Sequence, residues 1–422
     1  MIDAVADEAL AALLDGIAAG RARRRSGPAD RGAPTGLDAA GPWDTAPPEA
    51  WREAIARTRA EADADAIAHR EATDRVAREL FGRTAGEILV GGRSGVSARP
   101  VLRRTERTLE VPARAQIADI VPGLRGIASP GPGPRVEAAP GSMCAVRVTV
   151  TVAGDPATGA PSSRPGIVRL HGGGYWMGGG AAMDAVDRAL VEHLAIATGA
   201  VVVDVDHRLA PEWPYPTGVV DALCVLDAMR AGGLADGAGR GIVVDPRRLA
   251  LVGTSSGANI ATVAALADGA RAAAPDGEGG RPGSGGPGGL GARPRLAALA
   301  LIVPSVLLAD GPPQMRDDPA AWQSRRRQLS AYLGPRLSPT DPWVSPANRR
   351  VLPGMPPTFA ALAAFDEVAR GGEALCRAIE AGGAPAAART YPMTHTVACP
   401  DVEAAFIGDV AEFLRGRLAP AG

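Results

Sequence analysis

At 422 residues the chain is longer than one typical domain, and 45 basic residues against 46 acidic ones leave a formal charge of -1. That balance supplies no basic field to recruit nucleic acid, and no apolar run approaches the ~18 residues of a membrane span. The first residues are acidic where a secretory leader would be basic, so a cytoplasmic protein is expected.

Residues 1 to 85 carry two helical patterns, Ile2 to Arg25 and Pro48 to Phe81, joined by a Gly/Pro-rich stretch from Gly27 to Pro48. Leu10, Leu13, Leu14 and Ile17 form an i, i+3, i+4, i+7 stripe. Such a stripe needs a surface to bury against, which makes this region a cap on the rest of the chain and not an independent module. Arg21, Arg23, Arg24 and Arg25 read as a solvated helix end.

Between 86 and 139, strand-like fragments such as Leu109-Glu110-Val111 and Ile120-Val121 are broken by turn residues, and an irregular connection is expected. Order returns at Ile167 to Leu170, a strand followed by His171-Gly172-Gly173-Gly174 and a loop through Tyr175 and Trp176 into a helix. Bare backbone is what an oxyanion needs, because N–H groups can approach it closely only where side chains are missing. Gly173 and Gly174 are the expected donors. A Walker-type phosphate loop is excluded because the chain has no lysine, and the spacing is not G-x-G-x-x-G. Further on, Asp204-Val205-Asp206-His207 offers metal-ligand types, but strand-end ion pairing is the better use of them.

Leu249 to Val252 reads as a buried strand and Ser256 to Ala267 as a small-residue helix, with Ser255 at the turn between them. Gly253-Thr254-Ser255-Ser256-Gly257 fits a nucleophile elbow, in which the flanking glycines avoid the crowded backbone and the serine takes a strained conformation. A low-complexity insertion at 272–295 follows and is expected to be disordered.

A serine nucleophile needs a base, and the elbow architecture orders the triad serine, acid, histidine. Of five histidines, His395 alone lies downstream of Ser255, in a short loop after the strand-like Ala386 to Tyr391. The acid should end a strand between the two. Asp366 closes the apolar run from Thr358 to Phe365, whereas its neighbour Glu367 also suits the start of the helix at 373–381. Tyr175 and Trp176, next to the glycine loop, are the expected substrate-binding aromatics; Trp213, Tyr215, Trp322, Tyr332 and Trp343 divide between pocket and core. Cys144, Cys224, Cys376 and Cys399 have no ligand spacing and read as reduced thiols.

From about residue 140 onward the chain resembles the hormone-sensitive-lipase-like branch of the α/β-hydrolase superfamily. The resemblance rests on His171-Gly172-Gly173-Gly174, the serine elbow, Asp206-His207-Arg208-Leu209-Ala210-Pro211-Glu212 (close to the family's D-Y-R-L-A-P-E), Val344-Ser345-Pro346 and Met355-Pro356-Pro357-Thr358. It implies an eight-stranded, mostly parallel sheet flanked by helices, a hydrolase domain at 140–422, and an N-terminal helical cap. It also implies hydrolysis of short- to medium-chain carboxylic esters by Ser255, Asp366 and His395, with Gly172, Gly173, Gly174 and Ser256 as the oxyanion region. The implied partner is a small-molecule ester, with no cofactor and no metal; a homodimer is left open.

The chain departs from the family at three points. The elbow has Ser256 where alanine is more usual, the Asp366 segment lacks a second aspartate, and Thr396 follows His395 in place of glycine. Two other readings share the same residues: a lyase or acyltransferase using the same oxyanion hole, and a non-catalytic receptor of hydrolase fold. Retention of all three triad positions argues against the receptor.

Overall fold

The computed structural model describes residues 2–24, 48–91, 101–113, 142–154, 163–232, 243–273, 295–308, 319–334 and 337–420. Residues 25–47, which hold the Gly/Pro-rich stretch before Pro48, and nearly all of the 272–295 insertion lie outside them. Chain order begins with helices α1 (Ile2–Arg24), α2 (Pro48–Phe81) and α3 (Ala85–Gly91), then strands β1 (Leu102–Pro112), β2 (Met143–Ala153) and β3 (Arg164–Leu170). Helices α4 (Gly180–Val186) and α5 (Arg188–Thr198) lead to β4 (Val201–Val205), α6 (Thr217–Arg230), β5 (Val244–Thr254) and α7 (Ser256–Ala273). The remainder is β6 (Ala298–Ile302), α8 (Pro319–Leu333), β7 (Thr358–Ala363), α9 (Ala369–Ala381), β8 (Ala386–Tyr391) and α10 (Pro400–Arg417).

The eight strands form one sheet in the order β1-β2-β4-β3-β5-β6-β7-β8. β1 pairs antiparallel with β2, and β2 with β4; from β4 to β8 every pairing is parallel. Parallel strands need crossovers, and helices covering both faces explain why β4 and β6 are buried at every residue and apolar apart from Asp204, which is paired. Side chains alternate across the sheet, so the neighbours Ile167 and Val168 fall in cores on opposite faces. Val168 joins Val219, Val263 and Leu375 under α6, α7 and α9, while Ile167 joins Leu194, Val410 and Leu414 under α5 and α10.

Two expectations are corrected. The region 86–139, read as an irregular connection, contains the 11-residue β1, which pairs along its whole length with β2 from Leu102↔Ala153 to Pro112↔Met143. The sheet therefore begins well before residue 140. As an edge strand with alternating, mostly exposed polar side chains, β1 lacks the apolar run by which buried strands are recognised. In the α1 stripe, Leu10, Leu13 and Ile17 are buried, but Leu14 is 36% exposed. The buried three pack on Val76 and Ala77 of α2 and on Val397 and Cys399 beyond β8. Among the described residues no helix is long and apolar enough to cross a membrane.

Candidate active site

Every expected site residue lies just beyond the C-terminal end of a parallel strand, where an open α/β sheet places its ligands. The glycine loop follows β3, Ser255 follows β5, Asp366 follows β7, and His395 follows β8.

The turn at Ser255 is as tight as the motif requires. Ser255 itself has φ 54°, a left-handed conformation that costs a non-glycine residue about 1–3 kcal/mol. A Cβ at Gly253 would lie 2.4 Å from the Gly257 carbonyl oxygen, and one at Gly257 would lie 2.2 Å from that of Leu170. Neither position tolerates a side chain. The Ser255 N–H donates to the Ile302 carbonyl at 2.8 Å, which ties the elbow to β6.

The side chains of the three expected triad residues are joined by hydrogen bonds. Ser255 Oγ is 2.7 Å from His395 Nε2, and His395 Nδ1 is 2.5 Å from Asp366 Oδ2. With Nδ1–H donating to the carboxylate, Nε2 is left free to accept from the serine. The departure at Thr396 leaves the histidine loop in reach, because Thr394 closes it: its N–H donates to the Val397 carbonyl at 2.9 Å, and its hydroxyl accepts the Val397 N–H at 3.0 Å. Glu367 makes no bond to His395 among the described residues.

The glycine loop folds back on itself. The N–H groups of Trp176 and Met177 both donate to the Gly173 carbonyl, at 3.2 and 3.1 Å. Gly173 and Gly174 have φ of 119° and 60°, and a Cβ on Gly173 would sit 2.0 Å from the Met177 carbonyl oxygen. Gly172 lies against the nucleophile, 3.3 Å from a Cβ position to that of Ser255. Among the described residues the N–H groups of Gly173, Gly174 and Ser256 have no backbone acceptor. The last of these starts α7, where the helix itself leaves N–H groups unpaired.

A cavity of about 440 Å³ opens on Ser255 and His395. Trp176, Met177, Met183, Leu190, Phe406 and Ile407 give it an apolar wall, and Ala66, His69 and Arg70 of α2 form another part. Arg70 is held there by Glu403 of α10 at 2.6 Å and Asp74 at 2.9 Å.

Trp176 lines this cavity, as expected; Tyr175 does not. The positive φ of Tyr175, 73°, turns its ring into the core, where it stacks on Tyr332 at 3.7 Å. Tyr215 is buried edge-on to the same Tyr332, and Trp213 lies beneath Arg208, so both belong to packing. The side chain of Trp322 is outside the described residues. Asp204 and Asp206 are engaged in ion pairs, with Arg169 at 2.9 Å and Arg147 at 3.0 Å.

One feature under the loop is not visible in the motifs. His171 and His207 stack face to face, with ring centroids 4.1 Å apart and planes 5° from parallel. His171 Nδ1 donates to the Gly172 carbonyl at 2.7 Å, bracing the loop from below. Burial holds both imidazoles below the usual histidine range, and for His171 the neighbouring His207 adds to the effect. The signal for it in sequence is His207, standing where the family motif has tyrosine.

A family model described as alpha/beta hydrolase fold matches residues 167–398, more than half of the chain. The chain belongs to the α/β-hydrolase fold family. Within the matched stretch lie the glycine loop, the serine elbow, Asp366 and His395. The carboxylesterase NlhH of Mycobacterium tuberculosis is 42% identical over 106 residues, which are 24% of this chain and 28% of NlhH. The chain thus spans under a third of that relative's length. The carboxylic ester hydrolase LipN of the same organism is 29% identical over 320 residues, 71% of this chain and 77% of LipN. Among solved structures, a thermostable esterase from Pseudomonas putida superposes with a TM-score of 0.55 at 20% identity, covering 84% of this chain and 97% of that chain, a likeness of fold.

Proposed function

We propose that the protein is a serine carboxylesterase acting on short- to medium-chain carboxylic esters through an acyl-serine intermediate. The observation that carries this reading is the unbroken chain from Ser255 Oγ through His395 to Asp366, set beside acceptor-free N–H groups in the glycine loop. The esterases among the similar proteins support it.

In this mechanism Ser255 Oγ attacks the ester carbonyl while His395 Nε2 takes its proton. Asp366 holds the imidazole in the tautomer that accepts, and stabilises the imidazolium that forms. The carbonyl oxygen becomes an oxyanion, which the N–H groups of Gly173, Gly174 and Ser256 receive; preorganised donors of this kind contribute about 10² to 10³ in rate apiece. His395 then protonates the leaving alcohol, and a water activated by the same imidazole releases the acid from Ser255. The apolar wall from Met177 to Ile407 accommodates the hydrocarbon part of the substrate.

The test is hydrolysis of p-nitrophenyl butyrate together with labelling by a fluorophosphonate. Ser255 is expected to carry the label, and Ser255→Ala to abolish both label and turnover. Labelling at another residue, or undiminished turnover in the alanine variant, would overturn the reading.

A further inference from the structure

Helix α2 does more than wall the cavity. Arg59 and Asp63 stand four residues apart on it, hence on one face, and both reach the outer rim of the glycine loop. Arg59 Nε–H donates to the Trp176 carbonyl at 2.6 Å, and its Nη2 donates to the Ala210 carbonyl at 2.9 Å. The same guanidinium grips both oxygens of Glu212, at 2.8 and 2.6 Å. Asp63 Oδ1 accepts the Gly178 N–H at 2.7 Å.

These attachments fall at Trp176 and Gly178, on either side of Met177. That is the segment whose N–H groups bond back to the Gly173 carbonyl and whose own carbonyl oxygen packs against the Gly173 Cα. Fixing 176 and 178 therefore fixes the peptide planes on both sides of Gly173. Exposed ion pairs contribute little, but the Arg59–Glu212 pair has side chains only 19% and 15% exposed and is locked by two main-chain carbonyls. Spanning a carboxylate and two carbonyls takes a planar three-nitrogen fork, which lysine lacks. Neither Arg59 nor Asp63 lines the cavity, so neither acts by touching substrate.

We infer that Arg59 and Asp63 are positioning residues for the oxyanion hole: through Trp176, Gly178 and Glu212 they hold the loop that aims the Gly173 and Gly174 N–H groups. Helix α2 then governs the chemical step as well as walling the cavity. This rests on the esterase reading of the same site.

The experiment compares kcat and KM for p-nitrophenyl acetate and octanoate with the affinity for a trifluoromethyl ketone, in protein whose active concentration is titrated with a fluorophosphonate. Ser255 Oγ adds to the ketone carbon, its proton passes to His395, and the resulting alkoxide sits where the ester oxyanion would. Misplacement of reacting groups by about 1 Å costs on the order of 10² in rate. Arg59→Leu and Asp63→Ala are therefore expected to lower kcat by about 10² on acetate and octanoate alike, with Ki for the ketone rising by the same factor. Asp63→Asn should restore most of the activity, since its amide oxygen accepts the same N–H, whereas Arg59→Lys should not rescue. Acetate kcat within twofold of wild type, a KM increase confined to octanoate, or an unchanged ketone Ki would overturn the inference while leaving the esterase reading intact. If Arg59→Leu fails to fold, the Asp63 pair decides. Wild-type protein that neither turns over the esters nor binds the ketone would sink the esterase reading itself, and the inference with it.

Discussion

Asp366 offers its two carboxylate oxygens to different donors, Oδ2 to His395 Nδ1 at 2.5 Å and Oδ1 to the Val368 N–H at 3.2 Å. The backbone bond fixes the carboxylate, and the carboxylate fixes the imidazole. Glu367, one residue on, has neither contact among the described residues. Asp366→Asn should therefore lower kcat for p-nitrophenyl butyrate by roughly 10³ to 10⁴, since an amide stabilises the wrong imidazole tautomer. Glu367→Gln should change it less than threefold. Equal effects would mean that the acid is misassigned.

What the sequence made legible is what depends on near neighbours. Gly253, Ser255 and Gly257 constrain each other across a single turn, and the order serine, acid, histidine left His395 without a rival. The hidden features depend on contacts distant in the chain. Arg59 meets Trp176 across 117 positions, and nothing in the helical pattern of α2 sets it apart from the other arginines there. Tyr175 and Trp176 are equivalent in sequence, yet the positive φ at 175 sends one ring into the core and leaves the other facing the cavity. Leu14 fits the apolar period as well as Leu13 does, but only the buried one meets α2 and the Val397 loop. β1 is held by backbone pairing to β2, which leaves little trace in a polar edge strand.

Glycine at 257 is a steric requirement that can be measured against a glycine that is not. An alanine Cβ there would meet the Leu170 and His171 carbonyl oxygens at 2.2 and 2.3 Å, and backbone cannot give way as a flexible side chain does. Gly257→Ala should lower unfolding free energy by about 3 kcal/mol or more, if folded protein is recovered at all. Gly408, inside α10, has nothing within 4 Å of a Cβ position. Gly408→Ala should raise stability by about 0.5 to 1 kcal/mol, because alanine loses less backbone entropy in a helix. Urea unfolding checks both, and similar shifts in the two variants would contradict the packing described for the elbow.

The His171–His207 stack makes stability depend on pH with a definite sign. Burial keeps both imidazoles neutral in the folded protein, with pKa values below that of an unfolded histidine, about 6.5. As pH falls below ~6.5 the unfolded chain takes up protons that the folded one refuses, so this contribution to stability is complete above that pH and is lost below it. Each such imidazole adds at most about 1.4 kcal/mol per pH unit to the slope. Unfolding free energies measured between pH 7.5 and 5 should fall less steeply in His207→Tyr than in wild type, by up to that amount per unit. Loss of His207 also eases the depression of His171, which acts in the same direction, while the groups away from the stack are common to both proteins and cancel. Identical slopes would show that His207 is not held neutral by its burial.

The wall that α2 gives to the cavity predicts a chain-length effect distinct from the loop clamp. Ala66 lies on the cavity surface with His69 and Arg70, which it shares with the apolar residues of α4 and α10. Under the esterase reading, an acetyl group stays beside Ser255, whereas an octanoyl chain must pass further into the space that α2 encloses. Ala66→Phe places a ring in that space without disturbing Arg59 or Asp63, which do not line the cavity. Loss of room for a single methylene in an apolar pocket changes kcat/KM by about 10- to 200-fold. The variant should therefore lose tenfold or more on p-nitrophenyl octanoate and less than threefold on acetate. A uniform loss on both esters would place Ala66 beside the reacting carbon, and no loss on either would put the acyl chain on the other side of Ser255, away from the N-terminal helices.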